Sequence, residues 1–417
     1  MSTRRVAACA AASALVLGAV AAGATPASAA PAPIGPGLFG LHVGNPIDNW
    51  PTVPFGTIRI WDSGVHWAAL QPTPTTWDFS NLDAQVARAN AAKKDIVMVL
   101  GVTPRWASKR PNEAGNYGVG TAAEPKDLRT WTAYVRKLAI RYKGKINKWE
   151  LYNEPNAVLN FSGKPIDMVR MAQQAWGQLK SVSRGNVVIS PGIVTRTLNS
   201  PKWLDEYLRL GGGRYANVIA AHFYVKAKER PEDTIRYLAI VRKILKDRRL
   251  SHLPLWNTES SYGRYNPTDK ATHEVYAGSI SMAYVARTYV LMASGGVARS
   301  YWYGWDHRNY TGLYLTTNGS TAGPAGKAYG VTYGWLVGKQ MLGCTRIASG
   351  ALAGGFSCAL RRGSAQIRIL WHPDRTRPMR IPAGYRSLHR LDGSKTRVRT
   401  GTAFSVGPTP VYITTAA

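Results

Sequence analysis

The chain has 417 residues, of which 45% are hydrophobic and 18% are charged, and it contains three cysteines. This composition excludes a disordered tail, a collagen-like or coiled-coil fibre and a disulfide-rich mini-domain, and it fits one large globular domain or two ordinary ones. Lysine and arginine number 53 against 23 aspartate and glutamate residues, so the formal net charge is +30.

The first 29 residues have the form of a secretory signal peptide. Arg4 and Arg5 precede a run of residues 6–20 that is almost entirely Ala, Val and Leu, and small residues at 27 and 29 form a signal-peptidase site. The run is too short for a membrane span, and no second stretch of about eighteen apolar residues follows it. We therefore expect a secreted protein without an integral membrane segment, whose mature chain begins near residue 30.

Short β-rich runs alternate with helix-length amphipathic stretches from residue 38 onward. Strands are predicted at 38–43, 57–61, 96–102, 146–153, 187–191, 218–224, 255–259 and 299–303, and helices at 80–92, 126–142, 165–183, 201–210, 231–248, 272–293 and 325–341. This α/β pattern favours a (β/α)8 TIM barrel over residues 30–342. A doubly wound open sheet would also be expected to carry a Gly-rich nucleotide turn, and the sequence has none.

The remaining residues, 343–417, are predicted to form a small C-terminal β-sandwich. Strand-like runs at 356–360, 365–371, 379–381, 385–391, 396–399 and 411–414 are separated by Gly, Pro and Asp turns. We expect this accessory domain to stabilise the barrel, and ligand binding through its arginines is the alternative. Cys344 and Cys358 are expected to pair as a disulfide staple in an oxidising compartment, and two buried free thiols are the alternative.

Two of the predicted barrel strands end on a glutamate. The fourth run contains Glu154 within WELYNEPN, residues 149–156, and the seventh run ends on Glu259. Active sites of such barrels lie at the carboxyl ends of the strands, where strands four and seven face each other across the mouth. Two carboxyl groups flanking a sugar C–O bond are the minimum apparatus for glycoside hydrolysis, because one donates a proton while the other attacks or activates water.

These motifs resemble the clan A glycoside hydrolases, and family 39 in particular. The matching segments are WELYNEPN at 149–156, NTES at 257–260, AHFY at 221–224 and TPRWAS at 103–108. The resemblance covers the barrel and is weaker over the β-rich tail. It implies that Glu154 is the general acid/base and Glu259 the nucleophile of a retaining, double-displacement hydrolase.

The resemblance also implies substrate-binding residues beside the two carboxylates. Asn153 would hydrogen-bond the sugar hydroxyl next to the anomeric carbon. His222 and Tyr224 would lie beside Glu259 at the end of strand six, where hydrogen bonds would orient that carboxylate and keep it ionised. A satisfied structural histidine is the alternative for His222.

Arg59 and two tryptophans complete the predicted substrate-binding set. Arg59 resembles an arginine that clan members place near the nucleophile, and a buried salt bridge to Glu150 inside the barrel is its alternative. Trp106, after the third run, and Trp302, at the end of the eighth, are predicted as sugar-stacking platforms. Core packing is the alternative for each tryptophan.

Together these features predict a secreted, monomeric glycosidase acting on a polysaccharide or oligosaccharide. The sequence has no serine-hydrolase elbow, zinc-binding helix or phosphate loop, and its histidines lack metal-ligand spacing, so we expect neither a metal nor a cofactor. The positive charge favours an anionic or cell-wall glycan over nucleic acid, for which no binding motif is present, and general solubility is the alternative explanation. A non-catalytic carbohydrate-binding protein and a transglycosylase are the rival functions.

Overall fold

The computed structural model describes residues 31–197, 199–307 and 310–416, and the predicted signal peptide lies outside them. The larger part of the chain forms a barrel of nine parallel strand segments in the order β5-β4-β3-β2-β1-β9-β8-β7-β6. These are β1 (Phe39–His42), β2 (Thr57–Ile60), β3 (Asp95–Val99), β4 (Lys148–Glu150), β5 (Val187–Ile189), β6 (Ile193–Val194), β7 (Ile219–His222), β8 (Leu255–Ser260) and β9 (Arg299–Tyr303). A parallel bridge between Ile189 and Val218 closes the ring, and the predicted α/β barrel is confirmed.

The described residues contain eight α-helices, and the last seven match the predicted helices. They are α1 (Trp67–Leu70), α2 (Ser80–Ala91), α3 (Leu128–Arg141), α4 (Pro165–Val182), α5 (Ser200–Arg209), α6 (Thr234–Asp247), α7 (Gly278–Ser294) and α8 (Pro324–Leu336). In α3, Trp131, Val135 and Leu138 recur at helical spacing and are buried, while the Asp127 side chain caps the first turn. None of the described helices is long and apolar enough to span a lipid bilayer.

The barrel interior has an apolar floor with a charged layer above it. The floor is a cluster of buried side chains from β3, β5, β8 and β9 and the start of β7: Val97, Ile189, Val218, Ala220, Trp256 and Tyr301. Successive strand residues point to opposite faces, so the residues next to these in sequence pack outward against the helices. Side chains two residues beyond a floor residue therefore also point into the barrel, closer to the carboxyl ends of the strands.

Gly192 directly follows the fifth predicted strand, 187–191, and lies between β5 and β6, so the strand resumes beyond its predicted end. A Cβ atom at residue 192 would collide with Oε1 of Glu150 and Nε2 of His222, so the backbone passes this close to the charged layer only as glycine. The Gly192 carbonyl accepts a hydrogen bond from the backbone N–H of Glu154 at 2.7 Å. The break in the strand thus ties the end of the fourth strand to the fifth.

The C-terminal residues form an antiparallel sheet with a two-stranded ribbon packed on one face. The sheet order is β10-β11-β12-β17-β14-β15, and the ribbon is β13-β16. Their bounds are β10 (Gln340–Arg346), β11 (Phe356–Arg362), β12 (Ala365–Trp371), β13 (Arg377–Arg380), β14 (Ser387–His389), β15 (Lys395–Arg397), β16 (Ala403–Val406) and β17 (Val411–Thr414). Leu370, Phe404, Val406 and Ile413 belong to the apolar cluster of these strands. The C-terminal β domain is confirmed, although β10 and β16 were not predicted, and its exact boundary stays a prediction.

The opposite face of this sheet packs on the barrel helices. Trp371 at the end of β12 lies in the same apolar core as the barrel, and its indole N–H donates to Oε1 of Glu232 at 2.7 Å. Glu232 also pairs with Arg287 of α7. On α8, the ring of Trp335 lies 5.5 Å from that of Tyr412 in β17.

Cys344 and Cys358 form a disulfide. The two residues face each other in register on β10 and β11, with Cα atoms 4.0 Å apart. The predicted pairing is confirmed, and the bond closes the hairpin that begins the β domain.

Candidate active site

A network of buried polar side chains crosses the barrel above its apolar floor. Arg59 on β2 donates its Nε to Oε2 of Glu150 on β4 and its Nη1 to Oε2 of Glu259 on β8, both at 2.8 Å. Its Nη2 donates to Oδ1 of Asn153, also at 2.8 Å. Arg59 and Glu150 are fully buried, and the planar guanidinium satisfies several acceptors at once. Both placements considered for Arg59, beside Glu259 and against Glu150, are therefore realised together.

Glu154 and Glu259 approach each other at the carboxyl ends of the strands. One carboxylate oxygen of each and one ring nitrogen of His222 all lie within 4.8 Å of one another. The backbone of Glu154 has φ of +47°, a left-handed conformation that costs a non-glycine residue about 1–2 kcal/mol. The hydrogen bond from its N–H to Gly192 holds this turn and directs the side chain to the barrel axis. The Glu154 side chain is 20% exposed and that of Glu259 9%.

His222 and Tyr224 bond different members of the carboxylate pair. The Tyr224 hydroxyl donates to Oε1 of Glu259 at 2.9 Å, as expected. Nδ1 of His222 lies 2.8 Å from Oε1 of Glu154 but 3.9 Å from Oε1 of Glu259. The expected pairing of His222 with Glu259 is thus corrected, because Gly192 leaves open the space through which the ring reaches toward the fourth strand.

The titratable side chains of this cluster have strongly shifted pKa values. Burial raises the pKa of Glu259 to about 7, although the positive charges of His222 and Arg59 oppose it. Burial acts in the same direction on Glu154, but the hydrogen bond and charge of His222 outweigh it and lower the pKa of that carboxyl. Burial disfavours the imidazolium, but the charge of Glu259, the nearby carboxylate of Glu150 and the hydrogen bond to Glu154 raise the pKa of His222 to about 9. Near neutral pH, the proton in the bond between His222 and Glu154 therefore lies on His222, and the two groups form an imidazolium–carboxylate pair.

The two carboxylates open into a wide cleft of about 1450 Å³. Pockets for small ligands usually measure about 300–1,000 Å³, so this cleft has room for a ligand larger than one small molecule. Asn153 lies on its floor, and Arg59 engages its amide oxygen. The amide N–H groups of Asn153 are thereby left to donate to a ligand.

Comparisons with known proteins place this architecture. A β-xylosidase of Geobacillus stearothermophilus is 26% identical over 215 residues, which are 45% of this chain and 40% of that protein, so the match spans less than half of that relative. A family 39 glycoside hydrolase from Bacteroides cellulosilyticus WH2 superposes with a TM-score of 0.69 at 16% identity, covering 91% of this chain and 81% of that one. The fold is that of the family 39 glycoside hydrolases. A monomeric β-xylosidase from Caulobacter crescentus CB15 superposes over 92% of this chain and 97% of its own, with a TM-score of 0.64 at 15% identity. No protein-family model matches the chain.

The family 39 resemblance drawn from the motifs is confirmed, but two of the residues assigned with it lie elsewhere. Trp302 is fully buried and points to the helices, where its ring stacks on that of Tyr289 in α7 with the centroids 6.5 Å apart. Trp106 packs against Trp67 and donates its Nε1 to the backbone oxygen of Gln71 at 2.9 Å. The core-packing alternative therefore describes both tryptophans, and their predicted stacking role is corrected.

Three cleft residues of this family 39-like barrel were missed in the sequence. The hydroxyl of Tyr303 donates to Oδ2 of Asp62 at 2.8 Å, and that of Tyr117 donates to Oδ1 at 3.2 Å. Asp62 directly follows the second predicted strand, so the strand-end signal that identified Glu154 also applies to it. Because neighbouring strand residues face opposite sides, Tyr303 faces the cleft where Trp302 was expected.

Glu154, His222 and Glu259 are also a group whose atoms are close enough to hold a metal ion within the described residues. The high pKa of His222 opposes this use, because an imidazolium offers no lone pair to a metal. The near oxygen of Glu154 is bonded to His222, and both oxygens of Glu259 accept hydrogen bonds from Arg59 and Tyr224. This arrangement suits proton transfer better than metal binding, and the absence of a metal or cofactor requirement stays a prediction.

Proposed function

We propose that the protein is a secreted, retaining glycoside hydrolase that cleaves a polysaccharide or oligosaccharide. Its proposed substrate is an anionic or cell-wall glycan. The observation that carries this proposal is that one carboxylate oxygen of Glu154 lies within 4.8 Å of one carboxylate oxygen of Glu259, inside a wide cleft. Retaining glycosidases hold their carboxyl groups about 5 Å apart, whereas inverting enzymes need about 6.5–9.5 Å to admit water. The family 39 fold supports the same conclusion.

In the first step, Glu259 attacks the anomeric carbon while the glycosidic C–O bond breaks. Arg59 and Tyr224 each donate a hydrogen bond to Glu259, which stabilises its ionised form as the nucleophile. Glu154 is the more exposed carboxyl and donates a proton to the leaving oxygen. The products of this step are a free alcohol end and a covalent glycosyl ester on Glu259.

In the second step, Glu154 removes a proton from water, which attacks the same carbon and releases Glu259. The two displacements together retain the anomeric configuration. A transglycosylase would use the same residues with a sugar hydroxyl in place of water. An open cleft that admits water freely favours hydrolysis.

The first step requires a proton on Glu154, although His222 lowers the pKa of this carboxyl in the free protein. The Nδ1–Oε1 distance of 2.8 Å lets the imidazolium transfer its proton to Glu154, which passes that proton to the leaving oxygen, and His222 becomes neutral until Glu154 returns the proton taken from water in the second step. The positive charge that develops on the sugar at the same moment favours ionised Glu259. His222 acts in this scheme as a positioning residue and proton reserve for Glu154.

Four further observations support the remaining parts of the proposal. The signal-peptide form of residues 1–29 supports secretion, and the Cys344–Cys358 disulfide is typical of oxidising compartments. The β-xylosidase of Caulobacter crescentus CB15 is described as monomeric, which supports a monomer here. The net charge of +30 supports an anionic glycan as the partner.

The test is hydrolysis of a panel of neutral and acidic polysaccharides by the mature protein, read out as new reducing ends. Glu154→Gln should lower kcat about 10²- to 10⁴-fold, and Glu259→Gln should abolish turnover. Glu206→Gln, an exposed carboxylate on α5 outside the cleft, is the matched control and should leave the rate unchanged.

Proton NMR of the first product identifies the configuration at the anomeric carbon. Release of the inverted anomer would contradict the double displacement. Absence of cleavage across the panel, with glycan binding unchanged in both variants, would instead favour a non-catalytic carbohydrate-binding protein.

A further inference from the structure

One side of the cleft carries five basic side chains. Those lining residues are Arg196, Lys226, Lys228, Arg264 and Lys270. They lie on the loops that follow β6, β7 and β8, which are neighbours in the sheet. The opposite side, on the loops after β2 and β3, contributes Asp62, Asn116 and Tyr117 instead. Positive charge is therefore concentrated along one wall, which we call the basic wall.

The carboxylates of the cleft bond groups other than the charged side chains of the basic wall. Asp62 accepts hydrogen bonds from two tyrosines, and Glu274 accepts from the backbone N–H of Lys228 and the Tyr276 hydroxyl. Glu154 and Glu259 are engaged by His222, Arg59 and Tyr224. Within the part of the chain that the structure describes, no ion pair joins a side chain of the basic wall to a carboxylate. The charged ends of these side chains are therefore available to an anionic ligand.

Arg196 is the member of the basic wall that contacts a side chain bonded to Glu259. Its guanidinium lies over the ring of Tyr224, 4.7 Å from the centroid, and the hydroxyl of that tyrosine bonds Glu259. Its one hydrogen bond among those described is a long one, 3.4 Å, from Nη1 to the backbone oxygen of Val225. A planar guanidinium has five N–H donors in a fork that matches a carboxylate or sulfate. Arg196 is thus held by its ring contact while most of its donors stay free.

We propose that Arg196, with the rest of the basic wall beside it, forms an anion subsite that binds a carboxylate or sulfate of the glycan next to the scissile bond. This inference rests on the proposed function and deepens it. It assigns the substrate to the uronic-acid or sulfated glycans. It also fixes the orientation of the bound glycan, whose acidic substituent points to the loops after β6, β7 and β8.

An anion on Arg196 also assists the chemistry at Glu154. His222, more strongly than Arg196, lowers the pKa of Glu154 against the effect of burial. A bound carboxylate or sulfate neutralises the Arg196 contribution, so the pKa of Glu154 rises when an acidic substrate is present. Selection of the substrate and protonation of the acid are therefore coupled through one side chain.

The first arm of the test titrates glucuronate, glucose 6-sulfate and glucose into the mature protein and follows binding by calorimetry. We expect at least one anion to bind about tenfold or more tightly than glucose, the size of a charge-assisted bidentate contact. Arg196→Gln should remove this preference. Arg136→Gln is the matched control, because Arg136 is an exposed arginine on α3, outside the cleft. The two anions distinguish a carboxylate from a sulfate ligand.

The second arm measures kcat/KM on an acidic and a neutral glycan from the panel. Arg196→Gln should lower the value for the acidic glycan by at least about tenfold and leave that for the neutral glycan within about twofold. Equal losses on both glycans, or no anion preference in the wild-type protein, would overturn the subsite. Anion preference without cleavage of any glycan would refute the hydrolase and leave the subsite standing. Cleavage of neutral glycans without anion preference would support the hydrolase and refute the anion subsite.

Discussion

In the barrel, Arg59 and Glu150 are fully buried and bonded to each other, whereas the twelve Lys and Arg residues between positions 343 and 417 lie at the surface or are half-buried. Only two Asp residues accompany those twelve, so the segment has a net charge of 12 − 2 = +10. Within the described residues, the one ion pair there joins Asp374 to Arg230 of the barrel. The barrel thus pairs its buried charges, and the β domain leaves its cations to solvent.

The contrast follows from the energy of desolvation. Removing a charge from water costs several kcal/mol in practice, and a buried ion persists only with a close counter-charge and satisfied hydrogen bonds. An exposed cation keeps its hydration, so its pairing adds about 0–1 kcal/mol. Arginines therefore contribute very differently to the free energy of unfolding in the two regions. Substitutions in each region test this difference.

The largest effect is expected from Arg59→Met. This variant leaves Glu150 and Glu259 buried without their counter-charge, and we expect it to lower the free energy of unfolding by about 3–5 kcal/mol. Urea denaturation measures the loss. Adding Glu150→Gln to this variant should recover part of the stability, because one unpaired charge is removed. A loss of less than 1 kcal/mol in the single variant would show that the buried network does not depend on this ion pair.

A smaller effect is expected when the β domain loses its disulfide. The bond joins residues 14 apart in sequence, and closing a loop of this size stabilises a fold by about 3 kcal/mol through the unfolded chain. The double variant Cys344→Ser/Cys358→Ser should therefore melt at a lower temperature, with a shift that corresponds to a loss of about 3 kcal/mol in the free energy of unfolding. Reductant should destabilise the wild-type protein similarly and leave the double variant unchanged. An unchanged melting temperature in the double variant would place the stability of the β domain elsewhere, in its packing on α7 and α8.

The barrel and its two facing carboxylates were predictable because they depend on local patterns. Helix-length amphipathic stretches mark the crossovers, and a polar residue at the end of a strand must lie at the barrel mouth. Glu154 and Glu259 follow directly from this rule. The same rule applies to Asp62, a single polar residue directly after the second predicted strand, but Asp62 was not among the predicted site residues.

The predictions that were wrong concern residues whose role depends on the face of the strand to which the side chain points. A shift of one residue moves a side chain to the other face, so Tyr303 occupies the cleft where Trp302 was expected. The partner of His222 depends on Gly192, which belongs to a different strand. The basic wall is assembled from three loops and has no signature in any one of them. Such features require the register of the whole barrel.

The smallest effect on stability is expected from the exposed arginines of the β domain. Arg361 on β11 and Arg368 on β12 lie on the same sheet face, since Arg368 pairs with Ala359, two residues from Arg361. Replacing both with Gln should change the free energy of unfolding by less than about 0.5 kcal/mol per site. Retention on an immobilised sulfated polysaccharide should fall at low salt, and the difference should vanish at high salt as charges are screened. A loss above about 1 kcal/mol per site would mean that these cations stabilise the fold after all, and the contrast with the barrel would then fail.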